Sequence, residues 1–258
     1  MSSPSWGWVV AKATGTSHLR AGKGCDDFGG CTLLQIPDAD VLILAVSDGA
    51  GSAEHSAIGA RLTTLAFARR AAAFVKSGGD IASLSQQTAL DWLDDVRDRI
   101  ARAAGERGAA PRDFAATLVG CVVTPDHATF VHVGDGAGVI RLIATQDWRI
   151  GSWPSHGEYA STTYFVTDDP EPKLNISHVE GRVGEIAIFT DGLERLVLDF
   201  SNQTAFAPFF DKVFTPLTDT GVARRHRPLS GHLASLLRSP SICDKTDDDK
   251  TLVLAKRR

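Results

Sequence analysis

Three apolar segments of this chain end in the same pair of residues, an aspartate followed by a glycine. The pairs are Asp48-Gly49 after LILAVS, Asp135-Gly136 after VHVG, and Asp191-Gly192 after IAIFT. A short apolar run is typical of a buried strand, and a single Asp-Gly pair is usually only a turn. Its recurrence predicts that three strand ends converge on a metal site, where the Gly49 carbonyl could join the carboxylates as a ligand.

Further carboxylates extend this set, and they lie near both ends of the chain. They are Asp26, Asp27, Asp248 and Asp249. No histidine accompanies them at metal-ligand spacing, and carboxylates alone suit Mg²⁺ or Mn²⁺ rather than zinc or copper. Two such cations lower the pKa of water and stabilise the oxygens of an in-line phosphoryl displacement. Phosphate monoesters are among the slowest substrates to hydrolyse unaided, so a site with this much electrostatic stabilisation would suit them.

A glycine-rich loop over residues 15–24 carries two side chains that could bind the phosphate. Arg20 lies six residues before Asp26, and a guanidinium fits a phosphate dianion better than an imidazole does. Arg20 is therefore the predicted phosphate-binding residue, and His18 is the second candidate. The alternative is that Arg20 is simply an exposed loop arginine.

The elements that must position these residues follow from the hydrophobic pattern. Strands are predicted over 7–14, 31–36, 41–47, 115–123, 128–133, 139–144, 185–190 and 251–255, and helices over 58–75, 85–107, 202–213 and 228–238. The short turns between residues 115 and 144 favour antiparallel pairing. Residues 145–184 have no strong periodicity apart from a strand-like piece at 162–167. No linker divides the chain, so a single domain over 1–258 is expected.

Composition excludes several classes of protein. The chain has 258 residues, 43% hydrophobic and 22% charged, which is typical of a globular protein. Its net charge of −4 argues against nucleic-acid binding. No segment approaches the roughly 18 consecutive apolar residues of a membrane span. The four cysteines form no CxxC pair, and the start lacks the pattern of a secretion signal. A cytoplasmic location without membrane contact is therefore expected.

Taken in order, the motifs resemble the PPM/PP2C family of metal-dependent protein serine/threonine phosphatases. They are His18-x-Arg20, Cys25-Asp26-Asp27, Ser47-Asp48-Gly49-Ala50-Gly51, Ala116-Thr117, Gly134-Asp135-Gly136, Thr190-Asp191-Gly192-Leu193 and Asp248-Asp249-Lys250-Thr251. Each is short and unspecific, but their order and spacing from Gly15 to Ala255 are specific. The Cys-Asp-Asp variant and Gly157-Glu158-Tyr159-Ala160 resemble the bacterial branch.

The resemblance implies an α+β fold, an αββα sandwich of two antiparallel sheets flanked by helices. It also implies a site with two Mg²⁺ or Mn²⁺ ions, a bridging water that attacks phosphoserine or phosphothreonine, and a flap at 145–184. In this resemblance Asp48 would bridge both metals, and the Gly49 carbonyl would bind one of them. Asp191 and Asp248 would complete the other. Asp27 would hold metal-bound water with Asp26 beside it, and Asp135 would bind a third, weaker metal. The implied partner is a phosphoprotein made by a Ser/Thr kinase.

Two departures from the family pattern concern the site. Ala50 stands where many members carry a histidine that is thought to protonate the leaving group, so water or His18 must substitute. Asp26 stands where Glu, Gln or Asn is more usual. Two other readings remain: an inactive phosphatase-fold module that binds a phosphoprotein, and a calcium-stabilised domain that uses Asp247–Asp249. The second lacks the DxDxDG loop of calcium sites.

Overall fold

In the computed structural model, residues 6–37, 39–155, 163–220 and 224–258 are described. Thirteen strands are found in this part of the chain: β1 (Trp6–Ala13), β2 (Phe28–Ile36), β3 (Ala39–Ser47), β4 (Leu118–Val123), β5 (His127–Val133), β6 (Ala137–Leu142), β7 (Trp148–Ser152), β8 (Leu174–Glu180), β9 (Val183–Phe189), β10 (Leu198–Asp199), β11 (Thr204–Ala205), β12 (Arg224–Arg225) and β13 (Lys250–Arg257). Its helices are α1 (Thr16–Arg20), α2 (Ser56–Lys76), α3 (Gln86–Gly105), α4 (Glu194–Val197), α5 (Ala207–Thr220), α6 (Arg227–Leu237) and α7 (Pro240–Cys243).

Eleven of the strands form two large sheets, one in the order β12-β1-β13-β9-β6-β7 and one in the order β2-β3-β4-β5-β8. Every pairing in them is antiparallel except that of β1 with the short β12. β10 and β11 form a separate hairpin. The predicted α+β architecture with two antiparallel sheets is confirmed.

Strand β3 shows why its sequence is apolar throughout. Val41, Ile43 and Ala45 pack in the core beneath α2 and α3, whereas Leu42, Leu44 and Val46 pack in the core between the sheets. Since successive side chains of a strand point to opposite faces, a strand covered on both faces must be apolar at every position. A third core lies between the other sheet and α5 and α6. The layers are therefore helix, sheet, sheet and helix.

The long helices end where local signals place their caps. Ser85 Oγ accepts a hydrogen bond from the backbone N–H of Thr88 and caps the start of α3. α2 ends at Lys76, and Gly78 follows with φ +84°, a backbone conformation common just after helices. Within the described ranges, no helix is long and apolar enough to cross a bilayer.

Several predicted segments differ from the structure. The loop predicted over residues 15–24 contains the short helix α1, and the strand predicted over 115–123 begins only at Leu118. Residues 145–184, predicted to be irregular, contain β7 and β8, which pair at the edges of the two sheets. The helix predicted over 202–213 begins only at Ala207 and runs to Thr220, because the preceding residues form the β10–β11 hairpin. The strand-like piece at 162–167 forms no named strand over its described residues, 163–167. The motif at 157–160 lies outside the described residues.

Candidate metal centre

The register of the five-stranded sheet brings three of the sequence motifs to one edge. Phe28, which follows Asp27, pairs with Ser47, which precedes Asp48. Two strands further on, Leu118 pairs with Val133, the last residue before the Gly134-Asp135-Gly136 turn. Antiparallel pairing thus converts motifs that are far apart in sequence into neighbours in space.

The second sheet supplies the remaining residues at the same place. The 134–136 turn crosses from β5 in one sheet to β6 in the other, and Ala137 pairs with Phe189 at the end of β9. Phe189 also pairs with Leu252 of β13, so the segments around Asp191 and Asp248 lie beside that turn. The predicted convergence of strand ends is therefore present in the fold.

Three carboxylates, Asp48, Asp135 and Asp191, come closest together, and we call them the carboxylate cluster. One oxygen from each lies within 4.8 Å of the others. The Asp135 side chain is buried, and the other two are half-buried. Repulsion between like charges and loss of hydration both disfavour the ionised form, so a cluster of this kind favours the binding of a cation.

The pKa values of the cluster reflect this crowding. Burial raises the pKa of Asp48 well above its usual range, and the nearby charges of Asp27 and Asp191 raise it further. The pKa of Asp191 is also raised well above its usual range, by burial first and then by Asp135 and Asp248. Both carboxylates thus lack the positive charge that would stabilise their ionised forms.

Asp48 is held by a pair of backbone contacts to the strand beside it. Its N–H donates to Thr117 Oγ1 over 3.0 Å, and its carbonyl accepts from the Thr117 N–H over 2.8 Å. Gly49 forms an isolated antiparallel bridge with Ala116, and a Cβ at Gly49 would lie 2.6 Å from the Ser56 carbonyl carbon. The turn after β3 therefore requires glycine for close packing.

Asp135 depends on the glycines on either side of it. Gly134 and Gly136 have φ values of +93° and +88°, which favour glycine. This turn directs the Asp135 side chain into the cluster, where Thr163 Oγ1 donates to its Oδ2 over 2.5 Å.

Asp27 lies beside the cluster and is 1% exposed. Its Oδ2 accepts a hydrogen bond of 2.7 Å from Thr190 Oγ1, which in turn accepts one from the Thr251 N–H. Burial raises the pKa of Asp27 to about 6, against the lowering effect of hydrogen bonds to Asp48 and Thr190. Asp27 thus connects the motif at the start of β2 with those at the ends of β3 and β9.

The two members of the C-terminal acidic pair have different environments. Asp248 lines the same cavity as Asp191, and its Oδ1 accepts a hydrogen bond from the N–H of Asp249. Asp249 is 1% exposed, and its carboxylate accepts from the N–H groups of Gly15 and Asp26, at 2.6 and 2.5 Å. Through these hydrogen bonds, Asp249 connects the segment between β1 and β2 with the loop before β13.

The structure separates the two residues predicted to bind phosphate. His18 Nδ1 lies 3.1 Å from Asp249 Oδ2. Arg20 is exposed, and its guanidinium donates to Thr16 Oγ1 over 3.2 Å. Asp26 contributes its backbone N–H to Asp249, and its own side chain is half-buried.

One acidic residue at the site was missed by sequence reasoning. Glu194 is only 4% exposed, lines the cavity with Asp135 and Asp191, and accepts a 2.5 Å hydrogen bond from the Gly136 N–H. Burial raises its pKa to about 8. Glu194 follows Asp191 by three residues, a spacing that places both side chains on one side of a helical turn. This spacing could have indicated from the sequence that Glu194 lies at the site.

Comparisons with known proteins identify the family of this chain. The family described as Protein phosphatase 2C matches residues 14–238. Serine/threonine-protein phosphatase 3 of Escherichia coli (strain K12) is 33% identical over 256 residues, covering 97% of this chain and 98% of that protein.

Solved structures share the fold at lower sequence identity. Serine/threonine phosphatase Stp1 from Staphylococcus aureus has a TM-score of 0.60 at 17% identity, over 96% of this chain and 94% of its own. PppA, a regulatory component of T6SS in Pseudomonas aeruginosa, has a TM-score of 0.61 at 17% identity, over 99% of both chains.

Proposed function

The chain belongs to the protein phosphatase 2C family, and from that premise we propose that the carboxylate cluster binds divalent cations for the hydrolysis of phosphoserine and phosphothreonine in proteins. The observation that carries the proposal is the approach of oxygens from Asp48, Asp135 and Asp191 within 4.8 Å of one another. Carboxylates from distant parts of the chain would not share so small a space without a cation to offset their repulsion.

The donor set fits Mg²⁺ or Mn²⁺. All the candidate ligand atoms are oxygens, and hard cations prefer oxygen. The buried Oδ1 atom of Asp191 receives no hydrogen bond from any described residue, so it is available to a cation. The proposed ligands are Asp48, the Gly49 carbonyl, Asp191 and Asp248, with Asp135 and the newly identified Glu194 at a third position. When bound, the cations would stabilise negative charge on the phosphoryl oxygens and lower the pKa of water.

Asp27 is proposed to orient the attacking water and to accept its proton. Its carboxylate is close enough to that of Asp48 to share a hydrogen bond with it, and a carboxylate can serve as a general base. The hydrogen bond from Thr190 Oγ1 keeps its carboxylate in one orientation. Asp26 is proposed to act only through a further water molecule.

The leaving alkoxide also needs a proton, and Ala50 cannot supply one. The Ala50 side chain is apolar and 6% exposed. The proton must therefore come from water or from His18, whose ring is held by Asp249. For phosphate capture, Arg20 remains the proposed residue because its guanidinium is exposed and suits a phosphate with bidentate geometry.

The finer assignments belong to the same proposal. The substrate would be a protein phosphorylated by a Ser/Thr kinase. The protein would be cytoplasmic and would have no nucleic-acid or membrane partner. Residues 1–258 would form one domain. Residues 145–184 would flank the substrate site, consistent with the contact of Thr163 with Asp135.

Turnover of p-nitrophenyl phosphate tests the proposal directly. The purified chain should hydrolyse it with Mn²⁺ or Mg²⁺, lose the activity in EDTA, and regain it when Mn²⁺ is restored. A phosphothreonine peptide should be hydrolysed under the same conditions. Absence of Mn²⁺-dependent turnover, with Mn²⁺ still bound, would instead support an inactive module that binds a phosphoprotein. Stabilisation by Ca²⁺ alone would support the structural alternative at Asp247–Asp249.

A further inference from the structure

Beside the carboxylate cluster lies a cavity of about 830 Å³, which we call the flank cavity. It is lined by residues of the site and by others that take no part in it: Asp135, Thr163, Asp191, Gly192, Glu194, Arg195, Leu196, Phe200, Lys245, Thr246, Asp247 and Asp248. This volume is within the range of ligand pockets and far exceeds the needs of a phosphoryl group. The flank cavity therefore has room for a further part of a substrate.

An aromatic side chain provides the apolar part of this lining. Phe200 is 41% exposed, and its ring packs edge-on against Trp153, with ring centroids 5.3 Å apart. Phe200 is one of five exposed large apolar side chains found within the described ranges, and it is the one of these that lines the flank cavity. An exposed aromatic ring held by a second ring offers a fixed surface to an apolar side chain.

Two cationic side chains also line the flank cavity. Arg195 and Lys245 are exposed, and neither forms an ion pair with another residue in the described part of the chain. If the carboxylates of the site are neutralised by metal, these two side chains favour an anionic group on the substrate.

We propose that the flank cavity binds the residues next to the phosphoserine or phosphothreonine and selects segments in which an apolar side chain lies near a carboxylate. Phe200 contacts the apolar side chain, and Arg195 and Lys245 contact the carboxylate. This inference rests on the proposed phosphatase function and specifies its substrate class. It makes the three residues determinants of specificity, since none of them belongs to the proposed metal ligands.

A matrix of phosphoserine peptides tests the assignment. One series places Leu and Glu directly after the phosphoserine and a second places them directly before it. Each series also contains the versions with Leu replaced by Ser, with Glu replaced by Gln, and with both replaced. In one of the two series, kcat/KM of the parent chain for the peptide with Leu and Glu should exceed that for the peptide with Ser and Gln by about tenfold or more. This is the scale expected for one buried side chain.

The variants should separate the two contributions. Phe200→Ala should remove the preference for Leu and keep that for Glu, whereas Arg195→Gln and Lys245→Gln should do the reverse. The preference for Glu should also weaken as salt is added. The matched controls are Phe206→Ala, a phenylalanine that is 52% exposed and does not line the cavity, and Lys76→Gln at the end of α2. Both controls should keep both preferences.

The outcomes distinguish this inference from the proposed function. Equal kcat/KM for all peptides, or preferences that persist in Phe200→Ala and in the two cation variants, would overturn the inference while Mn²⁺-dependent turnover of p-nitrophenyl phosphate still supports the phosphatase. Loss of that turnover in the parent chain would overturn the proposed function itself. Thermal melting checks that each variant is folded, which the exposure of all three side chains favours.

Discussion

The carboxylate cluster and the Asp249 carboxylate lie at the same edge of the molecule, but their surroundings are opposite. Asp249 is fully enclosed and accepts hydrogen bonds from two backbone N–H groups, with His18 Nδ1 3.1 Å away. Asp48 and Asp191 face other carboxylates, and their pKa values are raised by burial first and then by these neighbouring charges. The protein itself supplies the hydrogen-bond donors that the buried Asp249 carboxylate requires. For Asp48 and Asp191, a bound ligand would have to supply the compensating positive charge.

This difference predicts that Asp249 stabilises the fold, whereas Asp48 and Asp191 bind a metal. Satisfied buried carboxylates stabilise the loops that donate to them. Carboxylates forced together without donors cost stability, and proteins retain such arrangements at functional sites. Substitution of aspartate by asparagine should therefore have different consequences in the two places.

The largest effect is expected for Asp48→Asn and Asp191→Asn. Each should reduce Mn²⁺-dependent turnover by more than about 100-fold, beyond the loss typical of residues that only orient a metal ligand. The fold should be retained, because the change is nearly isosteric and removes repulsion. Steady-state kinetics and circular dichroism measure the two effects, with the exposed Asp98→Asn on α3 as the control. Retention of most of the turnover in either variant would refute the assignment of that residue.

The second prediction compares the neighbours Asp248 and Asp249. Asp248→Asn should weaken Mn²⁺ binding about 10-fold or more in a calorimetric titration, the scale seen when a metal's surroundings are altered. Asp249→Asn should bind Mn²⁺ nearly as the parent does, but it should lower the free energy of unfolding by about 1–3 kcal/mol, since a buried N–H would lose its acceptor. Equal losses of affinity would mean that the ligand position is misassigned by one residue.

A glycine links the two regions and gives the third prediction. A Cβ at Gly192 would lie only 1.9 Å from the Asp249 carbonyl oxygen. Gly192→Ala should therefore separate the segments of Asp191 and Asp249 and destabilise the protein by about 1–3 kcal/mol, the usual cost of overpacking. Gly105→Ala, at a site with no atom within 4 Å, is the control and should leave the melting temperature unchanged or higher. Similar melting temperatures for the two variants would contradict the close approach.

The smallest expected effect concerns the loop before β2. Arg20→Ala should raise KM for a phosphopeptide several-fold and leave the melting temperature unchanged, since Arg20 is exposed. His18→Ala should instead lower the melting temperature, because it removes the contact with Asp249. A rise in KM for His18→Ala and none for Arg20→Ala would assign phosphate capture to His18.

The core strands and the set of acidic residues were predictable from the sequence, and the fold class followed from the resemblance of the motifs to a known family. Strand β3 was predictable because both of its faces are buried, which leaves an unbroken apolar run. The Asp-Gly pairs after β3 and β9 were visible because turn residues directly follow apolar strands.

Tertiary contacts determine which acidic residues come together, which of them accept hydrogen bonds from the protein, and which residues surround them. Asp248 and Asp249 are adjacent and chemically identical in sequence, and only the loops packed around them distinguish them. β7 and β8 were missed because edge strands bury one face and give a weaker pattern. The flank cavity joins Phe200 to Lys245, residues from separate elements, and local patterns carry no information on such long-range contacts.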